Sequence, residues 1–521
     1  MSDDGEVRST PEVEGRALDN GRPKNPPPQR IAHTWRESDK FIPRKVVRPI
    51  QRIMDAEISG AAFMFIAAVL ALIWANSPWG KYYVALWEQQ LTLNFGSFHI
   101  LDMSLHAVIN DALMALFFLV VALEIKREWI FGELRDRRAA ALPIIAAFGG
   151  MAVPALIYTA FNAGGGYSHG WGIPMATDIA FAVAVVALVG PRVPTSARLF
   201  LLTLAIVDDL GAILVIAIFY AGGLAFGWLA GAIAMCVLAW LAARANIRAL
   251  PVFVVLGVLC WYMLHESGVH STIAGVAFGF LTPAWSYLNP KEYAPVATQL
   301  VKEVDQRFED GVLTHDEHAD TNVTLKEIVR LSNETQAPLE RIVFKLANTS
   351  AFFVVPLFAF SNAGVFIPRV SPTEWLVNPV VLGIGLGLIV GKTIGIFGAA
   401  WLAAKIGIAK IPDSVTKLHL LGVSMCGGVG FTVAMFVSNL AFPGDDIGDL
   451  SKLSILLASA IAGTAGYLIL RLGAPASTTE DEGGEAEPEI HHPQLGAMAP
   501  DLIPAGAKPP RVKPAGPDAN G

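Results

Sequence analysis

Hydrophobic positions along this chain gather into about twelve runs long enough, or nearly so, to cross the roughly 30 Å hydrocarbon core of a bilayer as helices. They lie near 58–76, 104–126, 139–161, 168–189, 197–220, 222–243, 250–265, 269–284, 342–366, 377–404, 416–441 and 451–471. Behind the first run, LTLNFGSFHILDMSL alternates apolar and polar residues, the pattern of a short hairpin outside the bilayer. Three stretches lack apolar periodicity. Residues 1–50 read as a disordered basic N-terminal arm, and residues 475–521, rich in Glu, Pro, Gly and Ala, as a disordered tail. The charged loop at about 290–338 reads as partly helical. Between the arms, residues 51–474 form one all-α polytopic membrane domain.

The basic residues test this division independently, because Lys and Arg favour the cytoplasmic side of a membrane. They crowd the loops after even-numbered runs: Lys126, Arg127, Arg135, Arg137 and Arg138; Arg192 and Arg198; Arg244 and Arg248; Lys405, Lys410 and Lys417. Loops after odd-numbered runs, such as FNAGGGYSHG, YAGGLAFG and AFPGDDIGD, are poor in Lys and Arg; Arg369 and Lys452 are minor exceptions. An even number of spans with both termini in the cytoplasm satisfies nearly every loop. The expectation is a multi-pass protein of the cell inner (plasma) membrane.

Composition narrows the function. Of 521 residues, 53% are hydrophobic and 16% charged, with a mean hydropathy of +0.50; soluble domains carry about 25% charged residues. The net charge of −7 resides mainly in the arms and the long loop. Basic patches occur only beside apolar runs, which excludes a nucleic-acid partner. Cys236, Cys260 and Cys426 sit in or beside apolar runs without metal-ligand spacing and imply no disulfide framework. HDEHAD at 315–320 mimics a metal site, but no cysteine or apolar framework fixes its ligands, so it reads as solvated acidic loop. No cofactor and no enzymatic activity are expected.

Charges inside the apolar runs carry the chemistry, because an intramembrane carboxylate costs about 3 kcal/mol or more. The fourth run contains IPMATD, in which Pro174 disfavours regular helix and frees carbonyls beside the Thr177 hydroxyl and Asp178. The fifth contains adjacent Asp208 and Asp209, whose side chains point about 100° apart on a helix. Two close carboxylates in a low-dielectric site resist ionising together, so a cation replaces a lost proton and the two compete. Sodium and lithium are hard cations suited to such oxygens. In the tenth run Lys392 lies near mid-span, where a buried ammonium needs a carboxylate partner or loses its proton. The eleventh run places Gly427, Gly428 and Gly430 at mid-span, a mark of interruption or close packing. The fourth and eleventh runs hold matching places in the three-run units 3–5 and 10–12, the arrangement of inverted repeats in secondary transporters. The second run adds Asp111 in IND and Glu124, Lys126, Arg127 and Glu128 in LEIKRE; His270 lies in HESGVHST. These titratable groups are candidates for a pH response, or ordinary helix-end and loop residues.

INDALMALFFLVVALEIKRE, IPMATDIAFAV, LAIVDDLGAI, SGVHSTIAG, PLFAFSNAGV, GKTIGI and GGVGFT together resemble the NhaA-type sodium/proton antiporters across about residues 56–472. Inverted repeats are a known property of that family. The resemblance implies that Asp208 and Asp209 alternately bind Na+ (or Li+) and protons, so that the metal of this protein is its transported Na+. It further implies that Thr177 and Asp178 belong to an extended stretch of the fourth helix where it crosses the eleventh. Lys392 would pair with Asp208 and share in proton coupling, and Glu124, Arg127, Glu128 and His270 match positions linked to pH response. Where the family often has a Glu-His pair and a later His-Pro, this chain has Val343, Phe344, Ala347 and Asn348, which removes titratable groups.

The reading is a secondary Na+(Li+)/H+ antiporter that exports sodium for protons and serves sodium and pH homeostasis. A passive cation channel and an intramembrane aspartyl protease are the alternatives. Adjacent aspartates fit the protease poorly, since catalytic carboxylates must face each other across a shared water. The hairpin at 90–101 offers a pairing edge for a homodimer.

Overall fold

The computed structural model describes Lys45 and residues 59–95, 98–247, 249–307, 315–367, 372–443 and 446–473. The tail expected at 475–521, and the N-terminal arm apart from Lys45, lie outside the described residues. Helix dominates because backbone N–H and C=O groups in hydrocarbon must be satisfied within the segment that carries them. In chain order the helices are α1 (Ser59–Ala75), α2 (Gly80–Trp87), α3 (Leu105–Phe131), α4 (Arg137–Asn162), α5 (Ile179–Val189), α6 (Thr195–Phe219), α7 (Phe226–Arg244), α8 (Leu250–Ser267) and α9 (Ile273–Leu281). There follow α10 (Pro290–Gln306), α11 (His315–Thr335), α12 (Pro338–Asn362), α13 (Pro372–Val377), α14 (Pro379–Ile406), α15 (Lys417–Cys426), α16 (Phe431–Ala441) and α17 (Asp446–Leu468). Among the described residues nine spans are long and apolar enough to cross a membrane. The number rises to eleven if the bent pairs α1/α2 (116°) and α15/α16 (44°) each count as one.

The run expected to span at 269–284 differs from the others. It yields only the nine-residue α9, about 13–14 Å long and too short to cross. A turn at His270–Thr272 delays its start, with Ile273 N–H donating to His270 O at 3.1 Å. Pro283 ends it by forcing Thr282 into an extended conformation (φ −59°, ψ 127°).

The described residues divide into two compact units, one drawn from 1–126 and 221–367 and the other from 127–220 and 368–521. In the first unit, Gln90–Phe95 (β1) and Phe98–Ser104 (β2) pair antiparallel, from Gln90 opposite Ser104 to Leu93 opposite Leu101, with a register shift after Leu93. Tyr83 Oη donates to the carbonyls of Phe360 (2.6 Å) and Ser361 (3.0 Å), and Asn76 Nδ2 to Val365 O (2.9 Å). These bonds tie the end of α1 and α2 to the end of α12. Small and apolar residues of α7, α8 and α9, including Ala232, Ala239, Cys260, Leu264, Ala274 and Phe278, form a local core. The expected loop at 290–338 is mostly helix. Asn289 caps α10 by accepting Lys291 N–H, with Pro290 at the first helical position, and HDEHAD opens α11.

The second unit is organised by the crossing of α4 and α14. Gly387, Gly391 and Gly395 recur every four residues and so share one face of α14. A Cβ built on Gly395 would stand 2.2 Å from the carbonyl oxygen of Gly149, and one on Gly391 would stand 2.9 Å from Pro154 Cα. Hydrogen at these positions lets the backbones touch, the packing mode that lipid surroundings favour. Around the crossing, Leu142, Ala146, Val186, Leu201, Leu204, Ile396, Val423 and Cys426 form the buried core. Gly395→Val is therefore expected to cost about 1–3 kcal/mol or more by overpacking, seen as a lower unfolding temperature of the purified protein. A wild-type melting curve would contradict the contact.

Candidate functional site

Every site residue expected from the fourth, fifth, tenth and eleventh apolar runs belongs to the second unit, and the fold brings them together in two linked groups. The first group is a pair of helix interruptions. The tight 3-10 turn Ser168–Met175, which holds Pro174, gives way to an extended Ala176 (φ −75°, ψ 145°) and Asp178 (φ −90°, ψ 101°), after which α5 starts. Residues 427–430 likewise separate α15 from α16. The two interruptions meet. Thr177 Oγ1 donates to Gly427 O (2.8 Å), and Asp178 N–H donates to Val429 O (2.7 Å). A Cβ on Gly430 would lie 3.0 Å from Ala176 O, and one on Gly428 would lie 2.4 Å from Leu388 O, so the glycines admit backbone where a side chain would sit.

Asp178 is fully engaged here. Its Oδ1 accepts Phe181 N–H (3.1 Å), and its Oδ2 accepts both the backbone N–H (3.2 Å) and the hydroxyl (2.6 Å) of Thr432. One buried carboxylate thus caps α5 and reaches the first turn of α16, where the amino-terminal ends of both helices favour negative charge. Phe431 N–H is satisfied by Ser459 Oγ at 3.1 Å. Thr432 was not anticipated from the sequence. Its only signal there is its place just behind the glycines in GGVGFT.

The second group centres on α6. Asp208 and Asp209 are both buried in the middle of this 25-residue helix. Lys392 Nζ lies 2.6 Å from Asp208 Oδ2, and both side chains are wholly shielded from solvent. Asp208 Oδ1 is buried with no hydrogen-bond donor among the described residues. The lysine follows directly on a π-helical turn, Gly387–Gly391. Such turns are frequent at functional sites because they shift the register of the side chains that follow. A Cβ on Gly150 of α4 would meet Ile396 Cγ1 at 2.7 Å, so glycine there lets α4 pack against the turn of α14 that follows the lysine.

Glu124 is half-buried on α3, with exposed Arg127 and half-buried Glu128 beyond it. Glu128 Oε2 accepts Glu133 N–H at 3.2 Å. Lys126 Nζ donates to the carbonyls of Phe280 and Thr282 (2.6 Å each), closing the carboxyl end of α9. At the other end of α3, thirteen positions and about 20 Å before Glu124, Asp111 Oδ2 lies 3.4 Å from His265 Nδ1. His265 stacks on Trp261, whose Nε1 donates to Asp111 O at 3.3 Å. His265 went unnoticed beside His270 in the sequence. It faces Asp111 only because α8 packs there. Val343 is buried and Phe344 exposed on α12.

The chain matches the family model described as Na+/H+ antiporter 1 over residues 51–470. It belongs to that family. It is 44% identical over 426 residues to the Na(+)/H(+) antiporter NhaA of Helicobacter pylori strain G27, an alignment that covers 81% of this chain and 94% of the relative. To the NhaA antiporter of Syntrophobacter fumaroxidans it is 42% identical over 434 residues (82% and 91%), and to that of Wolinella succinogenes 43% over 417 residues (79% and 90%). Both interruptions, the α6 aspartates and Lys392 fall inside the stretch that defines the Na+/H+ antiporter 1 family.

Lys392→Met strands the Asp208 carboxylate without its cation and is expected to cost about 3–5 kcal/mol. Adding Asp208→Asn should recover part of that loss in thermal unfolding, whereas strictly additive losses would argue against the pair. Thr432→Val removes a bond to a charged acceptor, an expected cost of about 1.5–3 kcal/mol in the same assay.

Proposed function

We propose that this multi-pass membrane protein, a Na+/H+ antiporter, exports Na+ in exchange for protons through the Asp208 and Asp209 carboxylates. The observation that carries this reading is the buried Asp208–Lys392 pair with its unsatisfied acceptor, Asp208 Oδ1, beside the second buried carboxylate of Asp209. A hard cation satisfies such oxygens. Lithium, of the same charge and hardness, is a second cargo. A bound cation competes with the Lys392 ammonium for Asp208, and a proton competes with the cation, so occupancy by one ion disfavours the others. That competition is what couples the two fluxes.

The cycle follows. From the cytoplasm Na+ displaces protons from Asp208 and Asp209. A rearrangement about residues 176–178 and 427–430 opens the site outward, and protons entering there release Na+. Those interruptions suit the movement, because a few short hydrogen bonds, rather than whole helices, hold them. Asp178 supports the site as a fixed charge that anchors α5 and α16. If more protons enter than Na+ leaves, the exchange is driven by membrane potential as well as by the pH gradient. We place the chain in the cell inner membrane with both termini cytoplasmic, on the distribution of Lys and Arg among its loops. A homodimer formed through the β1–β2 hairpin belongs to the same proposal. With Val343, Phe344, Ala347 and Asn348 in place of titratable residues, pH control falls to other groups, including Glu124, Arg127, Glu128 and His270.

A channel would pass Na+ without moving protons. A protease would need two facing carboxylates, whereas neighbours on one helix diverge by about 100°, and a lysine occupies one of them. In vesicles with an imposed pH gradient, added Na+ is expected to dissipate the gradient, and Asp209→Asn to abolish that response. Dissipation independent of Na+ and Li+ would overturn the antiporter reading.

A further inference from the structure

The first unit contains a pair of thiols that the ion pathway does not use. Cys236 of α7 and Cys260 of α8 face each other with their sulfurs 3.7 Å apart. Cys260 is fully buried, its Sγ also 3.7 Å from Ala232 O, and Cys236 is half-buried. Both line a cavity of about 400 Å³ whose remaining walls are aliphatic or indole groups, among them Leu229, Ile233, Trp240 and Leu264.

Two features define what such a site accepts. A pyramidal three-coordinate soft centre, with sulfur bonds of about 2.3 Å and angles of about 100°, separates two thiolates by about 3.5 Å, within a few tenths of an ångström of the spacing found. A four-coordinate metal would need two more protein ligands, and the cavity wall offers neither imidazole, carboxylate nor a further thiol. The centre must therefore take two sulfurs and bring its own apolar substituent. We propose that Cys236 and Cys260 form a dithiol clasp for trivalent organoarsenicals, with the aryl or alkyl group lodged in the apolar cavity. The hydrated reagent, R–As(OH)2, loses both As–O bonds as two As–S bonds form. Each thiol proton departs with a hydroxide as water, so two waters leave, arsenic stays trivalent and nothing is oxidised or reduced. The product pins α7 to α8.

Phenylarsine oxide serves as the probe on the full-length purified protein, read by intact mass. A single adduct is expected that resists excess 2-mercaptoethanol and is removed by 2,3-dimercaptopropanol, because only a second dithiol competes with a chelating pair. Cys236→Ser and Cys260→Ser should each lose the adduct while keeping Na+-dependent exchange; Cys426→Ser, which lies in the other unit, should keep it. In the wild-type protein the probe should also shield two of the three thiols from N-ethylmaleimide, a reading that needs no variant. Absence of the adduct, its survival in either serine variant of the pair, or shielding of fewer than two thiols overturns the proposal.

Discussion

Hydrocarbon offers no water to an unpaired group, and in the second unit that constraint accounts for how the two helix interruptions meet. Interrupting a helix frees N–H and C=O groups that would cost several kcal/mol each if left alone at membrane depth. Residues 176–178 and 427–430 satisfy one another instead: Thr177 and Asp178 donate to Gly427 and Val429, while the Asp178 carboxylate collects donors from both following helices. Neither interruption would be tolerable without the other. The crossing is therefore as much a consequence of backbone accounting as of side-chain packing.

The same constraint sets the cost of the Asp208–Lys392 pair. Two charges fully removed from solvent are held by a single 2.6 Å contact, and such pairs are at best weakly stabilising against well-packed apolar residues of the same size. For an exchanger this weakness has a use. A partner bound too firmly would never yield its carboxylate to an incoming cation, whereas a pair near energetic balance is displaced by modest differences in ion or proton concentration.

Some residues could be read before folding and others could not. Asp208, Asp209 and Lys392 stood out because a charge within an apolar run has few structural explanations. Pro174 and the glycines at 427–430 stood out because they cannot continue an ordinary helix. Thr432 and Ser459 gave no such signal, since hydroxyl side chains are common in membrane helices and only the meeting of two distant segments aims them at Asp178 and Phe431 N–H. The region at 269–284 was apolar enough for a span but yields only the short α9, because a turn and Pro283 bound it on either side. Glu124 and His270 shared a sequence-level label as titratable residues. Asp111, which pairs with His265 just ahead of the His270 turn, lies about 20 Å along α3 from Glu124.

Sequence by itself determined the membrane class, the intramembrane charges and the weak points of two helices, because hydropathy, burial cost and backbone geometry act locally and leave their mark in the order of residues. The tertiary structure decided that Asp178 serves two helix ends rather than standing open, that Thr432 and Ser459 complete the crossing, and which thiols touch. Those outcomes depend on contacts between segments up to about 250 positions apart, such as Thr177 with Gly427, and no local pattern encodes the distance at which two helices will meet.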